Sequence, residues 1–377
     1  MLLSSCRARL GFLQGVMSFL TLGATANLQA QTAGAETRLE RLGNGIYVIL
    51  HPDATTDWST NTTDWPHSNV GIIIGDTAVL VVDSDYLPSR AKADIALIRT
   101  ITRKPVRYLV NTHWHGDHTH GNSVYRDSFP GIAIVGARDN RDLIEINQAR
   151  FPAFMTPGSV RGQQIRDLEQ LRARGQDSAG HALSPSERAR LALNISQRRG
   201  EIEELSKLKV APPTLLFDKE LRIDLGNRPV ILHNWGRANS PNDVSIYVPS
   251  ERVLFTGDIL VHPVPYAWRS YPTHWRRVLR EIETIPVVAL VPGHGPVQHD
   301  HGYTRLVREL MDSTLARTKA IVLRAGTVDS VKKRLDLSDL RARFVRPDDS
   351  LARVLWDDSI KDGLAGRAYY CSIGYDC

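Results

Sequence analysis

From residue 45 onward, short β-branched runs alternate with longer stretches whose apolar residues fall at helical spacing. Residues 45–50, 70–74 and 78–83 predict three successive strands split by Gly and Asp turns. Ile95, Leu97, Ile98 and Ile101 predict a helix over 89–102, ahead of Pro105, and 106–111 predict the next strand. Residues 138–210 break this alternation: they are rich in Arg, Glu and Gln and carry no strand signal. Ser184, Pro185 and Glu187 form a capping box with proline at the first helical position, opening a helix to about 207. A preceding helix near 163–174 makes this region a helical hairpin inserted beside the core. Strands are predicted again at 214–217, 221–225, 229–234, 244–248, 252–256 and 287–291, and helix from 303 to about 364. Two halves, each of strands followed by helices, predict an α/β fold of sheets packed face to face with helices outside.

Residues 1–30 stand apart. Arg7 and Arg9 precede an uncharged apolar run over 10–22, and Leu28-Gln29-Ala30 is a weak form of the A-x-A cleavage site. The run is short for a bilayer span of roughly 20 residues. We therefore expect a signal peptide over 1–30 and a periplasmic or secreted mature chain with no stable membrane span. The expected domain covers 31–325, with its helical insertion at about 138–210, followed by a C-terminal helical extension over 326–377. Cys6 would leave with the signal. For the remaining pair, Cys371 and Cys377, a terminal disulfide loop and two free thiols both stay open.

Charge changes the picture only by exclusion. The net +6 is dispersed through mixed stretches such as 161–174, with no basic block. Nucleic-acid binding needs clustered positive charge, so no nucleic-acid partner is expected. Nothing in the sequence sets the oligomeric state.

The densest chemistry follows the strand at 106–111: His113, His115, Asp117 and His118. Four potential ligands in six residues suit a divalent cation, zinc first, with manganese or iron as alternatives. In an extended segment His113 and His115 point the same way, and Asp117 and His118 then fall on the following turn. This H-x-H-x-D-H arrangement resembles that of the metallo-β-lactamase superfamily, and the resemblance runs from about residue 40 to 300. Asp83 looks like the early aspartate that braces the metal loop. Asp258, in Thr256-Gly257-Asp258, resembles the aspartate that bridges two metals, and His294, in Pro292-Gly293-His294-Gly295, resembles the late histidine ligand. The resemblance implies an αβ/βα four-layer sandwich with its metals at the sheet edge between the halves. It implies one cation on Asp117, His118, Asp258 and His294, and another served by His113 and His115.

One position departs from that pattern. Asn239 stands where the resemblance implies a third histidine, and a neutral amide oxygen is a poorer zinc ligand than imidazole. One firmly bound zinc and a weaker second are expected. Asn239 is either a ligand or a hydrogen-bonder that turns its loop.

The implied chemistry is hydrolysis of an ester, lactone, amide or similar bond of a small molecule by a metal-activated water, with Asp117 orienting the water and passing on its proton. No Gly-x-Ser-x-Gly elbow competes for the role of nucleophile. The rival reading is a metal- or ligand-binding protein of the same fold without turnover, which Asn239 favours. By resemblance, Trp65 and His67 on the loop 57–69 are expected to bind substrate, and His262 is added from an aromatic stretch holding Tyr266, Trp268, Tyr271 and Trp275. His51, His120, His181, His233, His274, His299 and His301 read as core or surface residues.

Overall fold

The structure, a computed structural model, describes residues 37–51, 67–324 and 326–377. The expected signal peptide and Trp65 lie outside the described residues.

Two sheets form the centre. The first runs in chain order through β1 (Arg38–Gly43), β2 (Ile46–Leu50), β3 (Val70–Ile74), β4 (Val79–Val82), β5 (Val106–Val110), β6 (Ala133–Ala137) and β7 (Leu215–Phe217). It is antiparallel from β1 to β4 and parallel from β4 to β7. The second comprises β8 (Glu220–Asp224), β9 (Pro229–Asn234), β10 (Val244–Val248), β11 (Val253–Val261) and β12 (Ala289–His294), in the order β12-β11-β10-β9-β8. Only its β11–β12 pair is parallel.

The inner faces of both sheets share one core, in which Val48, Leu80, Val82 and Val110 meet Leu232, Ile246, Phe255 and Val291. The sheets approach closely here: a Cβ on Gly71 would stand 2.5 Å from the Phe255 ring, so β3 needs a glycine at that point. The outer face of the first sheet packs on α1 (Pro88–Ile101), through Ala91, Ile95 and Ile98, and on Tyr125 of α3 (Asn122–Ser128). The outer face of the second is covered by α7 (Pro272–Ile282) and α8 (Gly302–Val322), where Trp275 and Leu279 meet Leu310 and Met311. Helices outside two stacked sheets make the four-layer sandwich. Both faces of β4 and β11 are buried, which is why these strands read as unbroken apolar runs.

The insertion forms three helices, α4 (Arg138–Phe154), α5 (Val160–Arg174) and α6 (Pro185–Leu205), one more than the hairpin expected from sequence. The Ser184–Glu187 capping box closes in both directions. Helix α4 reaches both halves of the fold. Gln148 donates to the Thr119 carbonyl (2.8 Å), and Asn140 donates to the Asn242 carbonyl (2.8 Å).

After α8 come α9 (Val328–Arg334), α10 (Ser338–Phe344), α11 (Ser350–Leu355), a π-helical stretch Trp356–Leu364 and α12 (Ala365–Ser372). The sequence pattern predicts helix here but not these breaks. Phe344, Leu355, Trp356 and Ile360 enter the same core as Trp275 and Met311, so 326–377 packs as part of the outer helical layer. From the π-helical stretch, Ser359 donates to the Pro265 carbonyl and accepts from the Ala267 amide, both at 2.7 Å. Cys371 and Cys377 are free thiols, and burial together with the neighbouring Cys377 pushes Cys371 up to about 12. Among the described residues no helix is long and apolar enough to cross a membrane.

Candidate metal centre

The ligand set gathers where strands of both sheets end. Beyond β5 the chain does not stay extended but bends at Thr112, His113 and Trp114, and then forms a single helical turn, α2 (Gly116–Thr119), which carries Asp117 and His118. Asp258 lies within β11 and His294 closes the adjacent β12. Two glycines make this juncture passable. A Cβ on Gly293 would stand 2.1 Å from Asp258 Oδ1, and Gly257 takes φ +50°, with Thr112 Oγ1 only 2.5 Å from where its Cβ would be.

Two groups of donors share Asp258. In the first, Asp117, His118, Asp258 and His294 each offer an atom within 4.8 Å of the others. His118 Nε2 stands 3.2 Å from Asp258 Oδ1 and 3.5 Å from Asp117 Oδ2; His294 Nε2 stands 3.4 and 3.1 Å from the same two oxygens. The far nitrogens are fixed from behind. His118 Nδ1 donates to Asp83 Oδ2 (2.8 Å), and His294 Nδ1 donates to the His67 carbonyl (3.1 Å). With both Nδ1 atoms donating, each Nε2 presents a lone pair forward. Asp83, at φ +62°, also accepts from the Thr112 amide (2.8 Å) and hydroxyl (2.9 Å), which braces the loop.

In the second group His113, His115 and Asp258 come together, with His113 Nε2 at 2.9 Å from His115 Nδ1 and 3.6 Å from Asp258 Oδ2. Asn239 is buried beside them, but its side-chain amide donates to the Tyr266 carbonyl. This bond ties the Asn239 loop to the segment after β11 and uses the amide nitrogen rather than the oxygen. Burial, and for His113 the neighbouring His118, hold His113 well below the ordinary histidine value; burial likewise lowers His115. In the first group, burial opposes charge on the imidazoles but Asp258, Asp83 and Asp117 outweigh it, raising His118 well above the usual value and His294 above it too. Without a cation, the first group draws in a proton instead.

The donors fit a divalent cation. His118 Nε2, His294 Nε2 and Asp258 Oδ1 are buried with no hydrogen-bond partner, an arrangement that costs free energy unless a positive ion completes it. A set of imidazoles and carboxylates suits zinc, manganese or iron.

The other expected site residues divide. His67 is brought alongside: its carbonyl holds His294 and its Nδ1 lies 2.6 Å from Asp85 Oδ1. His262 is set apart from the ligand atoms, with its ring on Tyr303 (5.1 Å between centroids) and the charges of Asp349 and Arg346 around it. Only its backbone amide reaches the centre, donating to the His294 carbonyl. The chain turns the His262 ring toward Tyr303 of α8. Tyr266 comes into the centre instead, its ring centroid 5.3 Å from that of His294. Trp268 and Tyr271 lie outward and Trp275 is core. Sequence reasoning missed Asn69, which ties 67–69 to the His294 loop by donating to the Pro292 (3.0 Å) and Gly295 (2.8 Å) carbonyls. It also missed His51, Asp85 and Asp94, which form a third buried group. One signal was legible there: Asp94 lies on the apolar face of α1 with Ala91, Ile95 and Ile98.

Residues 63–294 match the model of the metallo-β-lactamase superfamily. An alkyl/aryl-sulfatase of Saccharomyces cerevisiae is 26% identical over 199 residues, 52% of this chain and 28% of that protein. A linear primary-alkylsulfatase of a Pseudomonas species is 22% identical over 244 residues, 62% of this chain and 43% of that protein. The chain thus spans less than half the length of these curated relatives. A metallo-β-lactamase from Pontibacter korlensis superposes with a TM-score of 0.51 at 14% identity, covering 74% of this chain and 99% of that one. The DIM-1 metallo-β-lactamase exposed to ceftazidime gives 0.50 at the same identity and coverage. Both structural likenesses speak to the fold.

Proposed function

The chain belongs to the metallo-β-lactamase superfamily, and from that premise we propose that it is an exported metal-dependent hydrolase acting on an ester-type bond of a small molecule. The observation that carries this reading is the first donor group: Asp117, His118, Asp258 and His294 are mutually in reach, and the last three are buried, each with an unpartnered atom. Those four residues would hold the firmer cation, and His113 and His115 with Asp258 the weaker one. A divalent cation there supplies Lewis acidity and lowers the pKa of water from 15.7 to about 7.

The chain's own groups supply the rest. The Asp117 side chain is 13% exposed, whereas those of His118, His294 and Asp258 are 2% or less. It is therefore the member of the group that a substrate and its water reach first. Burial alone would raise its carboxyl, but His118 and His294 hold it well below the usual range. It meets the substrate ionised, ready to accept a water proton and hold it at a carboxylate oxygen until a leaving group takes it. His67 and Asp83 keep the two imidazoles in one tautomer. Tyr266 lines the approach beside His294.

The curated relatives are named as alkylsulfatases, so sulfate esters join carboxylic esters, lactones and amides as the first substrates to test. The full chain, stripped by chelator and reloaded with zinc or manganese, should hydrolyse at least one of 4-nitrophenyl sulfate, 4-nitrophenyl acetate, a medium-chain alkyl sulfate or a γ-lactone. Asp117→Asn should slow that turnover by about 10²–10⁴-fold and weaken the metal that Asp117 would help to hold. Tight metal binding with no turnover across the panel would favour the rival, a binding protein. Export is read from a mature N-terminus at Gln31 in the periplasmic or secreted fraction; an intact Met1 in the cytoplasm would overturn it.

A further inference from the structure

Behind the reaction centre, on the far side of His67, lies the third group. His51 follows β2, Asp85 follows β4 at φ +67°, and Asp94 projects from the buried face of α1. All three side chains are fully buried. His51 Nε2 stands 3.2 Å from Asp85 Oδ2 and 3.3 Å from Asp94 Oδ1.

We propose that His51, Asp85 and Asp94 form a separate, buried structural site for a divalent cation of the zinc, manganese or iron(II) class.

Three observations support it. The spacing is that of a coordination shell. Ligands about 2.0–2.2 Å from a tetrahedral ion stand about 3.3–3.6 Å apart, and separations of 3.1–3.5 Å recur in the reaction centre itself. Second, the hydrogen-bond accounting fails without an ion. His51 Nε2 meets Asp94 Oδ2 at 3.3 Å, but its single N–H cannot also serve Asp85, and Asp85 Oδ2 and Asp94 Oδ1 are left buried without a hydrogen-bond partner, as is the Tyr125 hydroxyl of α3. Third, the charge balances. Two carboxylates and a neutral imidazole leave two negative charges out of water, and a divalent ion cancels them. The remaining atoms are arranged as supports for such ligands. Asp85 Oδ1 lies 2.6 Å from His67 Nδ1 and accepts from the Tyr86 amide, and His51 Nδ1 meets the Thr37 hydroxyl at 3.4 Å. This site would fasten β2, the turn after β4 and α1 together directly beneath the segment that holds His294.

Metal counting on the full chain tests it. A variant carrying His118→Asn, Asp258→Asn and His294→Asn removes three of the four donors of the first group and the donor shared with the second, disabling the reaction centre. After chelation and titration with zinc, and separately with manganese, this variant should still take up one equivalent. Adding Asp94→Asn should remove that equivalent. No uptake by the first variant, or the same uptake with Asp94→Asn added, would overturn the proposal and leave a proton on His51 in place of the ion. Should Asp94→Asn fail to fold, anomalous diffraction from wild-type crystals grown with zinc decides. A peak bonded to His51 Nε2 supports the site, and a peak in the reaction centre alone refutes it.

Discussion

The two donor groups of the candidate metal centre share Asp258, yet they are built to different standards. The first has four donors, two imidazoles pinned from behind by Asp83 and the His67 carbonyl, and a surrounding field that favours positive charge. The second has three donors, with two imidazole nitrogens turned toward each other at 2.9 Å and Asn239 bonded elsewhere. A single departure in the ligand pattern is thus accompanied by a weaker arrangement around it. Affinity at such a site is set by the supports behind the ligands as well as by the ligands.

That contrast can be broken. The largest effect is expected from His118→Ala: loss of the first metal and a fall of about 10³-fold or more in kcat/KM, since the activated water goes with it. Retained turnover would show that the second position suffices. Asp83→Asn leaves every ligand in place and should weaken the first metal by about 10–100-fold, read by competition with a chromophoric chelator. Equal affinity would mean the support behind His118 is dispensable. Asn239→His should sharpen the comparison from the other side, raising stoichiometry by elemental analysis from about one reaction-centre metal to two. The change is read against the Asp94→Asn background, so that the buried third site is not counted.

The smallest effect on function concerns Asp243, which anchors the Asn239 loop by accepting from the Ser240 amide at 2.7 Å. Burial pushes its carboxyl up to about 7, so the folded chain holds this proton more tightly than the unfolded one. Its contribution to stability is complete below the ordinary value of 3.8 and is lost as pH rises through about 7. In the metal-free chain Asp243→Asn should flatten urea-measured stability across that window; parallel curves would place the slope elsewhere.

How much of this was legible follows from sequence distance. The metal loop was, because four donors fall within six residues after an apolar strand, and that spacing constrains geometry locally. Asp258 and His294 were legible through strand ends and their flanking glycines. The ring of His262 was not, since the turn into 263–268 is fixed by Ser359 on a π-helical stretch nearly a hundred residues later. His51, Asp85 and Asp94 carry no shared local pattern; tertiary packing alone brings them together. The sandwich was readable from period-two and period-3.6 patterns, whereas the breaks within 326–377 lie in continuous helical signal.

The reaction centre draws its ligands from both sheets, and this ties metal capture to the order of assembly. His113 to His118 precede Asp258 by some 140 residues and His294 by more, so an emerging chain carries half a site until the later strands follow. Until β11 and β12 dock, Asp258 and His294 are missing from the donor set. Capture of an ion would therefore come late, and a bound ion would add a rivet to the apolar core that already holds one sheet against the other.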